Sequence, residues 1–168
     1  MGSSRLRAYL SGGMEYARDE GADWRAKMET WIVTELGHSV FNPNVESAQY
    51  LRKHLRHGSF RTLKLKNVRR FQSIVRGIVL LDMDEIARSS DYVVCFWDAS
   101  ALRGAGTKGE LSIAKYFRKP VYLVTRMEVQ RIPGWILGCT TRIFPSFARL
   151  KTFLRATYSP RKRPSRDA

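Results

Sequence analysis

The chain has 168 residues with 43% hydrophobic side chains, among them four Trp, seven Tyr and eight Phe, and it carries two cysteines and a net charge of +15. These values fit a single globular domain with one core and exclude an intrinsically disordered chain. No apolar run approaches the roughly 18 residues that cross a bilayer, and no signal peptide is recognisable, so we expect a reduced, cytoplasmic protein without membrane contact.

The positive charge is concentrated in two segments. Residues 47–81 hold nine Lys and Arg and no acid, while the chain from Lys151 onward holds six, against Asp167 alone. Such segments attract phosphate groups, although a merely solvated surface has the same composition. Residues 52–76 and the C-terminal tail are therefore a candidate surface for nucleic acid or another polyanion.

Strand and helix patterns alternate along the chain. In order, we predict a strand over 5–10, a helix ending at Gly37, a strand over 38–41, two or three basic amphipathic helices over 45–89, a strand over 92–97, a helix over 107–118, strands over 121–124 and 142–144, and a last helix through Leu154.

This alternation predicts an α/β fold with a mostly parallel sheet of about five strands, covered by helices on both faces. We place one domain at 1–157, with the basic helices at 47–81 as an insertion and 158–168 as a disordered basic tail. Ligands of such folds bind at the carboxyl ends of the strands. Here that edge comprises the turn at 11–13, the pair at 42–43 and the segment 98–107, and we expect the first and third of these to precede helix N-termini, which favour anions.

Glu110 allows two interpretations. Thr107 and Glu110 have the spacing of a capping box, in which Thr caps the helix and Glu returns to the N–H of the cap. Alternatively, a glutamate in the first turn is held anionic by the helix dipole and is suited to act as a nucleophile, with Gly104 and Gly106 allowing a substrate to approach the backbone.

Several short motifs occur in an order that is typical of one family. They are YLSGG after the first strand, GHSVFNP after the first helix, an aspartate in a helix that ends SSDYVV, and then GTKGELSIA and KPV. With these motifs, roughly residues 5–125 resemble the nucleoside 2-deoxyribosyltransferase superfamily. That family contains transferases that exchange nucleobases and hydrolases that cleave the N-glycosidic bond of nucleosides or 5′-monophosphates. The resemblance implies a flavodoxin-like three-layer sandwich, in agreement with the predicted elements.

The resemblance also implies catalytic residues. The family's nucleophilic glutamate falls on Glu110, where it would form a glycosyl-enzyme intermediate. The second carboxylate falls on Asp82, with Asp84 as the alternative if the register slips, and a tyrosine that contacts the nucleophile or the sugar falls on Tyr9. A solvated helix face would explain the aspartates equally well, and a core aromatic would explain Tyr9.

The implied substrate-binding residues line the same edge of the sheet. They are Ser11, Gly12 and Gly13 for the 5′ end of the sugar, Asp98 for its hydroxyls, and Asn42, Gly106 and Thr107. A tight turn explains the first three without a substrate, and a turn-starting aspartate explains Asp98.

Two departures from the family pattern affect the expected activity. Gly104 stands where the transferases often have an aspartate, and a C-terminal asparagine has no clear counterpart near 140–142. We therefore favour a hydrolase of a nucleoside or 5′-nucleotide over a base-exchange enzyme. The alternative is a non-catalytic module that binds a nucleotide in the pocket or nucleic acid on the basic face. We predict no cofactor and no metal, and the resemblance implies a homodimer or larger oligomer.

Overall fold

The protein was analysed as a computed structural model, which describes residues 5–55 and 59–158. The predicted basic tail lies outside the described residues except for Tyr158, which ends the last helix.

Five strands form one parallel sheet. They are β1 (Arg7–Gly12), β2 (Ser39–Phe41), β3 (Tyr92–Phe96), β4 (Val121–Val124) and β5 (Arg142–Phe144), in the spatial order β2-β1-β3-β4-β5. This is the flavodoxin-like order, in which the direction of winding reverses between β1 and β3. The predicted α/β class and five-stranded parallel sheet are confirmed.

In the described part of the chain, eight α-helices connect and follow these strands. They are α1 (Ala22–Trp31), α2 (Pro43–His54), α3 (Phe60–Lys66), α4 (Val68–Asp84), α5 (Ala99–Arg103), α6 (Gly106–Tyr116), α7 (Gly134–Cys139) and α8 (Phe147–Tyr158). α1 and α4 each continue into one π-helical turn, over Ile32–Leu36 and Glu85–Ser89. Within the described ranges, no helix combines the length and apolar character needed to cross a membrane.

The sheet separates two hydrophobic clusters, because successive strand residues point to opposite faces. On one face, Tyr9, Val93 and Leu123 pack with residues of α6 and α7. On the other, Leu10 and Val94 pack with residues of α1 and α8, whose Leu150 and Leu154 are fully buried. The three-layer sandwich implied by the family resemblance is thus present.

Helices α2 and α3 lie against α4 and carry most of the exposed basic residues of the predicted insertion. α3 has no buried residue, and α4 buries only Ile74. The basic helices therefore form a peripheral layer outside the sandwich.

The observed elements differ from the predicted ones in three places. β1 extends to Gly12, and α1 starts only at Ala22, so the turn at 11–13 does not precede a helix N-terminus. α5 and α7 were not predicted, because each has only five or six residues and shows no clear periodicity. α8 continues past Leu154 to Tyr158, whose ring stacks on Tyr92 at a centroid distance of 4.9 Å and whose hydroxyl bonds to that of Tyr122.

Gly13 packs directly against the start of α5. A Cβ added at Gly13 would lie 2.0 Å from Ser100 Oγ and 2.7 Å from the Ala101 nitrogen. We expect Gly13→Ala to lower the free energy of unfolding by about 2 kcal/mol or more, because backbone must shift to relieve the clash. Urea denaturation measures this change.

The matched control is Gly138→Ala in α7, where an added Cβ meets no atom within 4 Å. We expect this variant to be as stable as the wild type or more stable by up to about 1 kcal/mol, since alanine is the better helix former. Equal stability of the two alanine variants would contradict the packing role assigned to Gly13.

Candidate active site

Four of the predicted site residues meet at the carboxyl edge of the sheet near the β1–β3 switch point. Tyr9 and Ser11 lie two residues apart on β1 and point to the same face. Asp82 approaches from α4, and Glu110 from α6, which packs on that face. This is the place where ligands of doubly wound α/β folds bind.

Glu110 contacts Ser11 and does not cap its own helix. Ser11 Oγ donates a hydrogen bond of 2.5 Å to Glu110 Oε2. α6 begins at Gly106 with Ala105 as its N-cap, and no side chain caps it. The capping-box prediction for Thr107 and Glu110 is therefore wrong: Thr107 is buried inside the first turn, and the glutamate points across to β1.

The prediction that the helix dipole holds Glu110 anionic is also wrong. Glu110 is the fifth residue of α6, beyond the first turn in which the dipole acts. Burial raises the pKa of Glu110, although the Ser11 hydroxyl, Arg25 and Tyr9 oppose this rise by stabilising the carboxylate. The ionised form of Glu110 is thus favoured by these three side chains and not by the helix dipole.

The proton affinity of Asp82 is raised above its usual value, as a general acid requires. Burial raises the pKa of Asp82 to about 7, the charge of Glu110 adds to the rise, and Tyr9 and Arg25 act against it. Two interacting carboxylates share this site, so binding a proton on one favours the ionised form of the other. The arrangement can therefore hold one carboxylate and one carboxylic acid near neutral pH.

Tyr9 stands between the two acids. Its ring is fully buried and stacks on Phe41, and burial together with both carboxylates raises the pKa of its phenol well above the usual value. The phenol therefore keeps its proton. The Tyr9 hydroxyl and Asp82 Oδ1 are both buried and, among the described residues, have no hydrogen-bond partner of standard geometry. Buried polar groups are normally paired, so these two atoms are suited to meet a polar ligand.

Asp82, and not Asp84, is the aspartate that faces the site. Asp84 is exposed and pairs with Arg88 one turn later at 3.2 Å. Glu85 is also committed elsewhere, since it binds Arg7 at 2.5 Å and accepts a hydrogen bond from Ser90 Oγ. Of the two aspartates, the geometry therefore brings only Asp82 together with Glu110 and Tyr9.

Arg25 belongs to this site, although sequence analysis did not identify it. Its guanidinium, 1% exposed, donates to the carbonyls of Leu10, Gly12, Glu20 and Gly21 at 2.7–3.2 Å and lies 4.7 Å from the Trp24 ring centroid. It is the cation that lowers the pKa of both Glu110 and Asp82. In sequence, Arg25 is one charged residue in an ordinary amphipathic helix, with nothing to mark its burial.

The other predicted substrate-binding residues have structural contacts of their own. Asn42 caps α2 through Asn44 and donates to Glu29 Oε2 at 2.7 Å. Asp98 Oδ1 caps α5 by accepting from the backbone and hydroxyl of Ser100 and from the Ala101 nitrogen. Within the described part of the chain, no hydrogen bond joins either residue to the two acids.

The glycines of the predicted set divide by position. Gly12 and Gly13 lie against Trp24 and Ser100, where an added Cβ would clash. Gly106 is the first residue of α6, and a Cβ added there would meet no atom within 4 Å. The first two are therefore required by packing whether or not they also contact a substrate. Gly106 has no such packing requirement.

Two surface cavities, of about 510 and 420 Å³, are lined by other residues than those of this site. The larger is lined by residues before β4 and β5, such as Lys119, Pro120 and Thr141, at the opposite edge of the sheet. Position in the fold indicates the site better than cavity size does, because ligands of this fold class bind at the carboxyl edge of the sheet. In the described ranges, no cluster of three or more His, Cys, Asp or Glu side chains is arranged to hold a metal ion.

Two solved structures share this architecture. A 2-deoxyribosyltransferase from the psychrotolerant bacterium Bacillus psychrosaccharolyticus superposes with a TM-score of 0.59 at 18% identity, over 91% of this chain and 96% of its own. The Clostridium botulinum CMP N-glycosidase BcmB superposes with a TM-score of 0.51 at 17% identity, over 90% of this chain and 99% of its own. No protein-family model and no curated protein sequence matches the chain. At these identities the likeness shows a common fold, which is the fold that the sequence motifs implied.

We expect Asp82→Asn to stabilise the protein in a pH-dependent way. The pKa of Asp82 is about 7 in the fold, above its value near 4 in an unfolded chain, so its ionised form opposes folding. The contribution of Asp82 to stability is full below about pH 4 and is lost as the pH rises through about 7. Asp82→Asn, which has no charge to bury, should exceed the wild type by on the order of 2 kcal/mol at pH 8 and by little at pH 4.

Urea denaturation at both pH values measures this difference. The matched control is Asp84→Asn, which removes an exposed carboxylate paired with Arg88 and should change stability by less than about 1 kcal/mol. If the advantage of Asp82→Asn over this control did not grow with pH, the assigned environment of Asp82 would be wrong.

Proposed function

We propose that this protein is an enzyme that cleaves the N-glycosidic bond of a nucleoside or 5′-nucleotide, acting as a hydrolase more than as a base transferase. The observation that carries the proposal is the convergence of Glu110, Asp82 and Tyr9 at the β1–β3 switch point, where two buried polar atoms lack a hydrogen-bond partner of standard geometry among the described residues. The names of the two structural neighbours, a 2-deoxyribosyltransferase and a CMP N-glycosidase, support the same bond as the target.

In the first step, the Glu110 carboxylate attacks the anomeric carbon of the sugar. A C–O bond forms, the C–N bond to the base breaks, and the electron pair of that bond leaves with the base nitrogen. Protonated Asp82 donates its proton to the departing base, so that a neutral base is released. Ser11 holds Glu110 through its hydroxyl, and this contact orients the attacking oxygen.

In the second step, the Asp82 carboxylate takes a proton from water, and the resulting hydroxide displaces Glu110 from the anomeric carbon. Asp82 thus alternates between acid and base, as in retaining glycosidases. The neutral phenol of Tyr9 supplies a hydrogen bond to Glu110 or to the sugar. Arg25 lowers the cost of the negative charge that moves between the two acids.

Water, not a second base, is the proposed acceptor. Gly104 has no side chain to hold a sugar hydroxyl, and residues near 140–142 offer no asparagine. Both features favour hydrolysis. A transferase would release a base only in exchange for another base. An assay with and without an acceptor base therefore distinguishes the two activities.

We expect base release to require Glu110. The protein is incubated with ribo- and deoxyribonucleosides and their 5′-monophosphates, with and without an acceptor base, and the free base is measured by chromatography. Glu110→Gln, which retains a hydrogen bond to Ser11, should lower kcat by at least about 10³-fold.

The matched control is Glu128→Gln, which neutralises an exposed glutamate in the loop after β4 and should leave kcat unchanged. Release that persists in Glu110→Gln would remove Glu110 as the nucleophile. If the wild type releases no base from any substrate, the protein is instead the non-catalytic binding module.

We also expect the rate to fall above neutral pH. The first step needs protonated Asp82, so kcat/KM should decrease as the pH rises through about 7, where Asp82 loses its proton. Asp82→Asn should be about 10²–10⁴-fold slower and should lack this limb of the profile. The measurement is kcat/KM from pH 5 to 9, and an unchanged descending limb in the variant would exclude Asp82 as the acid.

A further inference from the structure

The junction of α3 and α4 carries five cations within ten residues and no acid. They are Arg61, Lys64, Lys66, Arg69 and Arg70, all of them exposed, and we call this surface the basic corner. Asn67 ends α3 and caps α4 by accepting a hydrogen bond from the Arg70 nitrogen at 3.0 Å. Asn67 is thus the one residue between the two helices, and the five cations flank it within six residues on either side.

The basic corner is attached to the loop that leaves the active-site strand. Arg61 forms an ion pair with Glu20, and Lys64 forms one with Glu15 at 3.1 Å. Both glutamates lie in the loop between β1, which carries Tyr9 and Ser11, and α1. The basic surface therefore starts next to the site and does not lie on an unrelated face.

The same loop presents an aromatic ring. Tyr16 is 47% exposed, and the Arg103 guanidinium at the end of α5 lies 4.7 Å from its ring centroid. An exposed ring beside a cation is the arrangement on which unpaired bases stack in single-stranded nucleic-acid sites. Tyr16 stands between the basic corner and α5, both of which contact its loop.

Three cations of the basic corner remain available for phosphates. Among the described residues, Lys66, Arg69 and Arg70 form no ion pair, whereas Arg61 and Lys64 are neutralised by the loop. A mononucleotide brings one phosphate group, whereas the three cations lie outside the site, on the junction of α3 and α4. A polynucleotide brings one phosphate for every residue of the strand.

We propose that the substrate of the active site is a nucleotide within single-stranded nucleic acid, whose neighbouring phosphates bind the basic corner and whose neighbouring base stacks on Tyr16. This inference rests on the proposed N-glycosidase function and specifies its substrate. A single strand fits best because the Tyr9 hydroxyl and Asp82 Oδ1 are buried, and a base in a duplex must first be unpaired and unstacked, at a cost in free energy, to reach such a site.

Binding is tested by fluorescence anisotropy with a labelled 12-nucleotide single-stranded DNA, the RNA of the same sequence and a DNA duplex, from 50 to 300 mM salt. The variant Lys66→Gln/Arg69→Gln/Arg70→Gln should bind both single strands at least tenfold more weakly at 50 mM salt, with a salt slope shallower by about 2. The DNA and RNA arms identify which strand is preferred, and the duplex should bind more weakly than either.

The matched control removes three exposed cations elsewhere that also form no ion pair among the described residues, as Lys115→Gln/Arg118→Gln/Arg149→Gln, and should bind as the wild type does. Tyr16→Ala should weaken single-strand binding about fivefold or more, while Tyr16→Phe, which keeps the ring, should not. Equal losses in the two triple variants would show attraction by net charge alone and would overturn the proposal.

Base release from the oligonucleotides and from 5′-monophosphates separates this inference from the function on which it rests. A kcat/KM for the oligonucleotide that exceeds that for the monophosphate, and that falls in the basic-corner variant alone, supports the inference. Release from monophosphates without release from strands overturns the inference and leaves the proposed function intact. Strand binding without release from any substrate overturns the proposed function and, with it, the strand as a substrate.

Two other kinds of partner would be recognised by further measurements on the same variants. Leu65 and Val68 are 88% and 55% exposed on the basic corner, and a second copy of the chain could cover them. Dimerisation lost in the basic-corner variant, measured by sedimentation, with no strand binding, would assign the surface to an oligomer. Binding to vesicles of anionic phospholipid that is stronger than to either strand would assign it to a membrane surface.

Discussion

The buried guanidinium of Arg25 is the contact on which the rest of the site depends. It joins the carbonyls of Leu10 and Gly12, at the carboxyl end of β1, to those of Glu20 and Gly21, where the following loop returns to α1. A buried arginine is tolerated only when its donors are satisfied, and four carbonyls meet that condition without a carboxylate partner. Its charge therefore remains uncompensated by an adjacent anion and can act on the two acids nearby.

This arrangement explains how two carboxylates share a nearly dry site. Burial disfavours the charge of each, and their mutual repulsion adds to the cost for Asp82. Arg25 and the Ser11 hydroxyl lower the cost for Glu110, so the two acids have unequal environments. Such a pair destabilises the fold at neutral pH, and buried groups of this kind are typically retained for chemistry and not for stability.

The sequence predicted the framework well because local patterns determine it. The strand over 121–124 has the predicted bounds, since a continuous apolar run that follows Pro120 has few alternatives, and the short strand over 142–144 also lies where it was predicted. Gly37 ends the first helix in the left-handed conformation with φ 67°, as its position indicated. The same patterns placed the turn at 11–13 at the carboxyl edge, whereas the site roles of Tyr9 and Glu110 came from the family resemblance.

Side-chain direction could not be predicted in the same way. The spacing of Glu110 from Thr107 is compatible both with a capping box and with a side chain that points from α6 to β1. Only the packing of α6 on β1 distinguishes the two. The burial of Arg25 depends on carbonyl groups of β1 and of the following loop, which come together only when the chain folds. Tertiary contacts of this kind have no local signature, so the capping prediction was wrong and Arg25 was missed.

The high net charge and the acid pair are electrostatically separate, and this separation would let one protein combine the proposed polyanion-binding surface with the proposed general acid. Asp82 and the exposed cations Arg69 and Arg70 belong to one helix, yet the cation that affects the pKa of Asp82 is Arg25, from another element. Water and salt screen exposed charges over about 8–10 Å, whereas buried charges keep their influence. The proton affinity of Asp82 is therefore determined by burial, Glu110 and Arg25, and phosphates bound at the basic corner would not change it. A basic surface that did lower the pKa of Asp82 would deprotonate the acid at neutral pH and prevent it from protonating the departing base.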